Sequence, residues 1–193
     1  MAALLYGASS GICTPNSLSQ EVKRGLGAQA ELRLQDYRDI AGEPFDAIAS
    51  IEMFGAVGRE YWDGYFEAVR RNLKPGGRAC IQTITIRDDL FARYLRSTDF
   101  IQQYIFPGGL LPSPAEFRKA ARAAGFDVVN ELAFGQDYAE TLSRWRERFL
   151  AEERRVRLIG FDTRFMRTWE FYLAYCEAAF AGGNTDVMQF TLR

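Results

Sequence analysis

The chain has 193 residues, a length that suits one domain with a full core. Hydrophobic residues make up 48% and charged residues 25%, the balance of an ordinary globular protein, and the formal net charge of -1 argues against a nucleic-acid binder held by phosphate contacts. The sequence contains no histidine, which excludes a histidine general base, a Ser-His-Asp triad and histidine-ligated metal.

Three widely spaced cysteines, Cys13, Cys80 and Cys176, form no CxxC pair and suggest neither a disulfide framework nor a zinc site. No apolar run approaches the roughly 20 residues of a transmembrane helix. The first residues are too short and uncharged a stretch for a signal peptide, so a cytoplasmic protein is expected.

Residues 2–6 read as a short strand, followed by a small-residue turn at 7–11 whose GxxxG spacing is only a weak nucleotide signal. Residues 17–23 read as a short helix, interrupted by Gly25 and Gly27. Residues 30–35 alternate Leu32 and Leu34 with charged residues, as a strand does, and Asp36 to Asp39 make its loop. The near-continuous apolar run Phe45–Ile51 suits a strand buried on both faces of a parallel sheet. Polar and glycine residues follow it directly. Ligands bind just beyond the carboxyl ends of strands in open α/β sheets, so residues 52–58 are the first place to look for chemistry.

Trp62, Tyr65, Phe66, Val69 and Leu73 fall at helical spacing and predict a helix over 61–73, ended by the turn Lys74-Pro75-Gly76-Gly77. Residues 78–86 are rich in β-branched side chains and predict a strand. The aromatic stretch 91–110 reads as partly helical up to Pro107. Ser113 with Pro114 and Glu116 marks a helix start with a capping box, and that helix stops at Gly125. Residues 126–134 read as a strand, Asp137 as the cap of a further helix, Phe165 to Phe180 as a last long helix, and 186–192 as a final strand. Alternating strands and helices imply a mostly parallel sheet covered on both faces, and no linker or repeat divides the chain.

Several motifs then resemble one family. Leu34-Gln35-Asp36-Tyr37-Arg38-Asp39, Phe45-Asp46-Ala47-Ile48, Ser50-Ile51-Glu52-Met53-Phe54 and Leu73-Lys74-Pro75-Gly76-Gly77-Arg78 are similar to cyclopropane-fatty-acyl-phospholipid synthases. More specific are Phe100-Ile101-Gln102-Gln103-Tyr104-Ile105-Phe106-Pro107-Gly108-Gly109, Phe134-Gly135-Gln136-Asp137-Tyr138-Ala139-Glu140-Thr141-Leu142 and Gly183-Asn184-Thr185-Asp186. The resemblance implies an α/β fold: the Rossmann-like sheet of a class I methyltransferase, spanning residues 30–193 behind an atypical remnant at 1–29. It implies methyl transfer from S-adenosylmethionine to a cis double bond of a phospholipid acyl chain, with a bound bicarbonate removing the proton as a cyclopropane ring closes. A bound base suits a chain without histidine. The alternatives are an inactive remnant acting as a partner subunit, and a lipid methyltransferase that makes a methyl or methylene branch.

By the same resemblance, Asp36 and Tyr37 lie near the cofactor adenine, and Ile51 and Glu52 flank it. Tyr138 matches the bicarbonate-binding tyrosine, and Ile84 a position whose backbone carbonyl faces the same anion. Gln82 stands where many members have histidine, and Gly55 where they have the glutamate that holds the bicarbonate. The glycine-rich first motif is not recognisable, and Cys13 does not match its cysteine. The first strand is therefore expected to be missing, with residues 1–11 as its substitute or the domain a fragment.

The implied partners are phospholipid acyl chains at a membrane surface, with no nucleic acid, and the implied place is the inner membrane face. An exposed sheet edge favours a homodimer. The arginines from Arg144 to Arg157 read as a solvated mixed-charge face, because acids are interleaved, or else as an anionic-lipid contact.

Overall fold

The computed structural model describes the main chain of residues 2–6 and the whole of residues 35–193. Five strands form one sheet: β1 (Ala2–Tyr6), β2 (Phe45–Ile51), β3 (Leu73–Ile86), β4 (Val128–Ala133) and β5 (Thr185–Leu192), in the order β1-β2-β3-β5-β4. β1 and β2 are parallel, as are β2 and β3, while β5 is antiparallel to both β3 and β4. Four of the five described strands therefore run one way and β5 alone is reversed. β1 registers Leu4 on Ala49 and Tyr6 on Ile51, so residues 2–6, offered by the sequence as a substitute strand, do pair beside β2. The expected strand at 30–35 (save Gln35), the helix at 17–23, the turn at 7–11 and Cys13 lie outside the described residues.

The helices are α1 (Trp62–Arg71), α2 (Asp88–Tyr94), α3 (Phe100–Tyr104), α4 (Pro114–Ala123), α5 (Gly135–Ala151), α6 (Glu153–Leu158) and α7 (Thr163–Ala181). Side chains alternate across a strand, so β3 and β5 each feed two cores. Ala79 and Ile81 of β3, with Met188, Phe190 and Leu192 of β5, pack with α1 and α4. Ile84 and Val187 turn the other way and pack with α5 and α7 through Ala139, Leu142, Leu173, Cys176 and Phe180. The helices thus cover both faces, as the sequence implied.

The first core centres on rings. Phe54 is fully buried, its centroid 5.1 Å from Trp62, 5.0 Å from Tyr65, 5.5 Å from Phe66 and 5.1 Å from Phe117. Phe117 in turn stacks on Phe190 at 4.0 Å. The buried Tyr65 hydroxyl donates to Ser50 Oγ at 2.8 Å, which satisfies a polar group that burial alone would penalise.

Element ends differ from the sequence reading where a long-range partner decides them. The turn at 74–77 is a bulge inside β3: Phe45 pairs with Leu73 and Ala47 with Arg78. Gly77 lies so close to the Asp46 carbonyl that a Cβ would stand 2.9 Å from it. Ser113 caps α4 as expected, accepting from Glu116 N–H at 3.3 Å, but the Glu116 carboxylate goes to Arg59 Nη2 at 2.9 Å. Asp137 is not a cap. α5 begins two residues earlier, where Gly135 N–H donates to Asp186 Oδ1 at 2.7 Å across to β5. The stretch 91–110 resolves into α2 and α3, and α3 opens on a reciprocal capping box of Asp99 and Gln102.

Phe117→Ala should cost about 3–5 kcal/mol, the usual range for a buried aromatic removed from a close-packed core. Urea unfolding of the two proteins measures the difference, and a loss below about 1 kcal/mol would mean the ring cluster does not hold the first core together.

Candidate active site at the end of strand β2

β1 and β2 end side by side, with Tyr6 registered on Ile51, and the chain turns sharply after them. Glu52 is the one described non-glycine residue in the left-handed region, at φ 53°. Such a conformation costs about 1–3 kcal/mol outside glycine and collects at functional sites. Its N–H still pairs with the Gln82 carbonyl at 3.0 Å, so the main chain stays in register with β3.

The Glu52 carboxylate turns back over β3. Gln82 Nε2 donates to Glu52 Oε1 at 3.1 Å, and Gln189 Nε2 donates to Gln82 Oε1 at 2.9 Å. Burial raises the Glu52 carboxyl above the ordinary glutamate value, and hydrogen bonds from the Gln82 amide and the Ile84 main chain oppose that rise. Three sequence-predicted residues, Glu52, Gln82 and Ile84, are thus brought together. Gln189 was not foreseen. It lies directly opposite Gln82 in the antiparallel ladder, and only the strand register reveals that.

Tyr138 sits in the first turns of α5 and packs on the second core with Ile84. Its ring meets Phe180 edge-on at 5.0 Å and Trp145 at 6.0 Å. Ile84 and Tyr138 therefore share one side of the sheet, the side to which Gln82 also points by strand alternation. Gly55 does not face them. A Cβ there would meet Thr83 Oγ1 at 3.6 Å and Leu111 Cδ2 at 3.9 Å, ordinary contacts, and Thr83 belongs to the opposite face of β3.

Asp36 and Tyr37 form a separate group. Arg38 closes on Asp36 through Nη2–Oδ2 at 2.6 Å and Nε–Oδ1 at 2.9 Å, and its backbone N–H caps the turn on Oδ1 at 2.9 Å. The Arg38 side chain first, and then its backbone N–H, hold the Asp36 carboxyl down to about 2. Tyr37 leans on Tyr65 with centroids 5.7 Å apart. Among the described residues no group of histidine, cysteine, aspartate and glutamate could hold a metal. The Cys176 thiol is pushed up to about 12 by burial, which leaves it an unreactive core residue.

The raised Glu52 pKa has a stability consequence. Unfolded, Glu52 titrates near 4.5; folded, it titrates higher, so the native state binds its proton more tightly. Its contribution to stability is complete below 4.5 and is lost as pH rises through the folded value. Compared with Glu52→Gln, the natural chain should lose unfolding free energy across that window and run parallel on either side. Urea melts over a pH series test this, and a flat difference would contradict the burial of the carboxyl.

Comparison with known proteins bears on the family and the fold. The chain matches the mycolic acid cyclopropane synthetase family over residues 16–190. It is 43% identical over 169 residues to tuberculostearic acid methyltransferase of Mycobacterium tuberculosis, covering 87% of this chain and 39% of that protein. It is 36% identical over 172 residues to cyclopropane-fatty-acyl-phospholipid synthase of Escherichia coli, covering 89% and 43%. The chain thus spans about two fifths of the length of these relatives. Its fold matches the crystal structure of mycolic acid cyclopropane synthase CmaA1 complexed with SAH and CTAB, with a TM-score of 0.79 at 27% identity, over 100% of this chain and 77% of that one. A putative sarcosine dimethylglycine methyltransferase from Galdieria sulphuraria shares the fold alone, at a TM-score of 0.78 and 14% identity. On this sheet order and this match, the chain belongs to the mycolic acid cyclopropane synthetase family and has the class I S-adenosylmethionine methyltransferase fold.

Proposed function

We propose that the chain transfers the methyl group of S-adenosylmethionine to a cis double bond in a phospholipid acyl chain and closes a cyclopropane ring. The observation that carries this reading is the meeting of Glu52, Gln82 and Ile84 at the carboxyl end of β2, on the sheet of a family with that chemistry. β1 and β2 run parallel and end together, and cofactors in open α/β sheets bind beyond the carboxyl ends of such strands. In this reading S-adenosylmethionine binds there, with Ile51 and the Glu52 main chain, and Asp36 and Tyr37 contribute to the adenine end. The cofactor supplies an electrophilic methyl group. The protein orients the acyl chain, excludes water and provides a proton acceptor.

The relative named for tuberculostearic acid favours a second reading, methyl branching of the acyl chain, which uses the same cofactor site. A third reading, an inactive partner subunit, is favoured by Gly55, which carries no side chain to hold an anion. Titration with S-adenosylmethionine separates the enzyme readings from this one. A ligand that binds only the native state at 100 times its Kd stabilises by about 2.7 kcal/mol, so the melting temperature should rise. No rise at millimolar cofactor would leave the inactive-subunit reading standing. Proton NMR of the methylated lipid then separates ring from branch, because ring and methylene branch have the same mass but different protons.

We further propose that the chain works in the cytoplasm, against the inner membrane face. Among the described residues no helix is long and apolar enough to cross a membrane. The corner between α6 and α7 presents Leu158, Ile159 and Phe161 at 77%, 69% and 44% exposure. Residues 144–167 hold eight arginines and four acids, a positive surplus in a chain of net charge -1. Apolar side chains among arginines suit an anionic lipid surface, where each well-placed cation adds about 1 kcal/mol. Ion pairs such as Arg144–Glu140 and Arg157–Glu153 lie on this face without removing the surplus. Self-association is proposed along β4, where Val129 and Leu132 are exposed at the end of the sheet. Leu158→Asp with Ile159→Asp should weaken sedimentation with phosphatidylglycerol vesicles and leave the cofactor titration unchanged. Equal sedimentation of variant and natural chain would remove the corner from membrane contact.

A further inference from the structure

The resemblance supplies a bicarbonate as base, and the site does not fit one. The glutamate expected to hold the anion is Gly55, whose missing Cβ faces Thr83 rather than Gln82. Of the groups expected to meet the anion, the Gln82 amide is already engaged: it donates to Glu52 Oε1 at 3.1 Å. A bicarbonate seated there would meet a carboxylate of its own sign in a partly desolvated place. Like charges so placed oppose each other.

We propose that the Glu52 carboxylate takes the place of the bound anion and is itself the proton acceptor of the reaction. This rests on the methyl-transfer reading above. Three features of the structure support it. The left-handed backbone at Glu52 carries the side chain back over β3 instead of out along the strand. The carboxylate is anchored by the Gln82 side chain, whose Nε2 donates to it as it would to a bound carboxylate-like anion. Gln189 in turn fixes the Gln82 amide, because its Nε2 donates to Gln82 Oε1; this leaves Gln82 Nε2 to point at Glu52. Burial also raises the basicity of the carboxylate above that of an exposed glutamate, the direction that helps a general base.

The chemistry balances with the donor and the acyl chain alone. The alkene π pair forms the new C–CH3 bond as the donor's S–CH3 bond breaks and its electron pair stays on sulfur. Positive charge is left on the neighbouring carbon. A C–H bond of the new methyl group then breaks, its electron pair closes the ring onto that carbon, and the proton passes to the Glu52 carboxylate and on to water. A methylene branch releases a proton from the same methyl group after a hydride shift, so the base is common to both products.

The test has a binding arm and a turnover arm. Glycine suits a positive φ, so Glu52→Gly should fold and vacate the place. Carbon-13 bicarbonate, followed by NMR linewidth and by calorimetry, should not bind the natural chain at millimolar concentration. It should bind Glu52→Gly, and binding should vanish in Glu52→Gly with Gln82→Ala. Bicarbonate binding to the natural chain, or no binding to Glu52→Gly, overturns the proposal. Glu52→Gln keeps the shape and guards against a folding artefact: NMR of carbon-13-labelled glutamate should lose one carboxyl that titrates above the others, and an unchanged set overturns the assignment. In turnover, the natural chain should be indifferent to bicarbonate. Glu52→Gln should fall by about 10²–10⁴-fold, the usual contribution of a general base. Glu52→Gly should fall likewise and recover with added bicarbonate or formate. Turnover of the natural chain that requires bicarbonate, or survives Glu52→Gln, overturns the proposal. A natural chain that binds no S-adenosylmethionine and methylates no lipid defeats the methyl-transfer reading, while the bicarbonate arm still decides who occupies the place.

Discussion

The burial of Phe54 is the constraint from which the rest of the site follows. Its ring lies among Trp62, Tyr65, Phe66 and Phe117, with no exposed surface. Burying such a side chain is worth about 1.5–3 kcal/mol, and each favourable ring pair adds about 0.5–1.5 kcal/mol. Phe54 comes only three residues after the end of β2. The chain must therefore leave the strand and drop its next aromatic side chain under α1 within one short turn. That demand is met by the left-handed backbone at Glu52 and the 3-10 turn Phe54–Ala56. The local cost at Glu52 is offset by packing at Phe54, and the result is a carboxylate held over β3.

β3 supplies both sides of this arrangement. Its odd-numbered residues Ala79, Ile81 and Thr83 go to the aromatic core, and its even-numbered residues Gln82 and Ile84 go to the face of α5 and α7. A slip of one residue in the β3–β5 register would exchange them. Gln82 would lose Gln189, and the amide would no longer be oriented toward Glu52. The polar line Gln189–Gln82–Glu52 thus depends on apolar pairs elsewhere in the ladder, such as Ile81 with Phe190 and Ile84 with Val187. Stability and chemistry use alternate residues of the same strand.

Family membership and local chemistry point in different directions at one place. The motifs around Phe134–Leu142 and Phe100–Gly109 carry the resemblance, and the family match extends over most of the chain. Gly55 departs from the expected anion site, and Glu52 reaches the Gln82 amide of that site from a stretch that matches the family. Viewed singly, each is an ordinary loop residue. Viewed on the sheet, one leaves a carboxylate out and the other brings a carboxylate to the Gln82–Ile84 pair from a different backbone position.

The sequence by itself determined the strands at Phe45–Ile51 and Thr185–Leu192, the amphipathic helices α1 and α4, the Ser113 cap and the family. These are signals of period and of near neighbours, which a linear pattern carries. It also named Glu52, Gln82, Ile84 and Tyr138, though as separate motif positions. The tertiary structure decided what lies across from what. Asp186 begins α5 from 51 residues away, Gln189 orients Gln82 from 107 residues away, and the 74–77 turn became a bulge because β2 pairs on both sides of it. The direction of the Glu52 carboxylate belongs to the same class. No periodicity encodes a left-handed turn at a glutamate; it arises because Phe54 has a place in the core and the main chain must reach it.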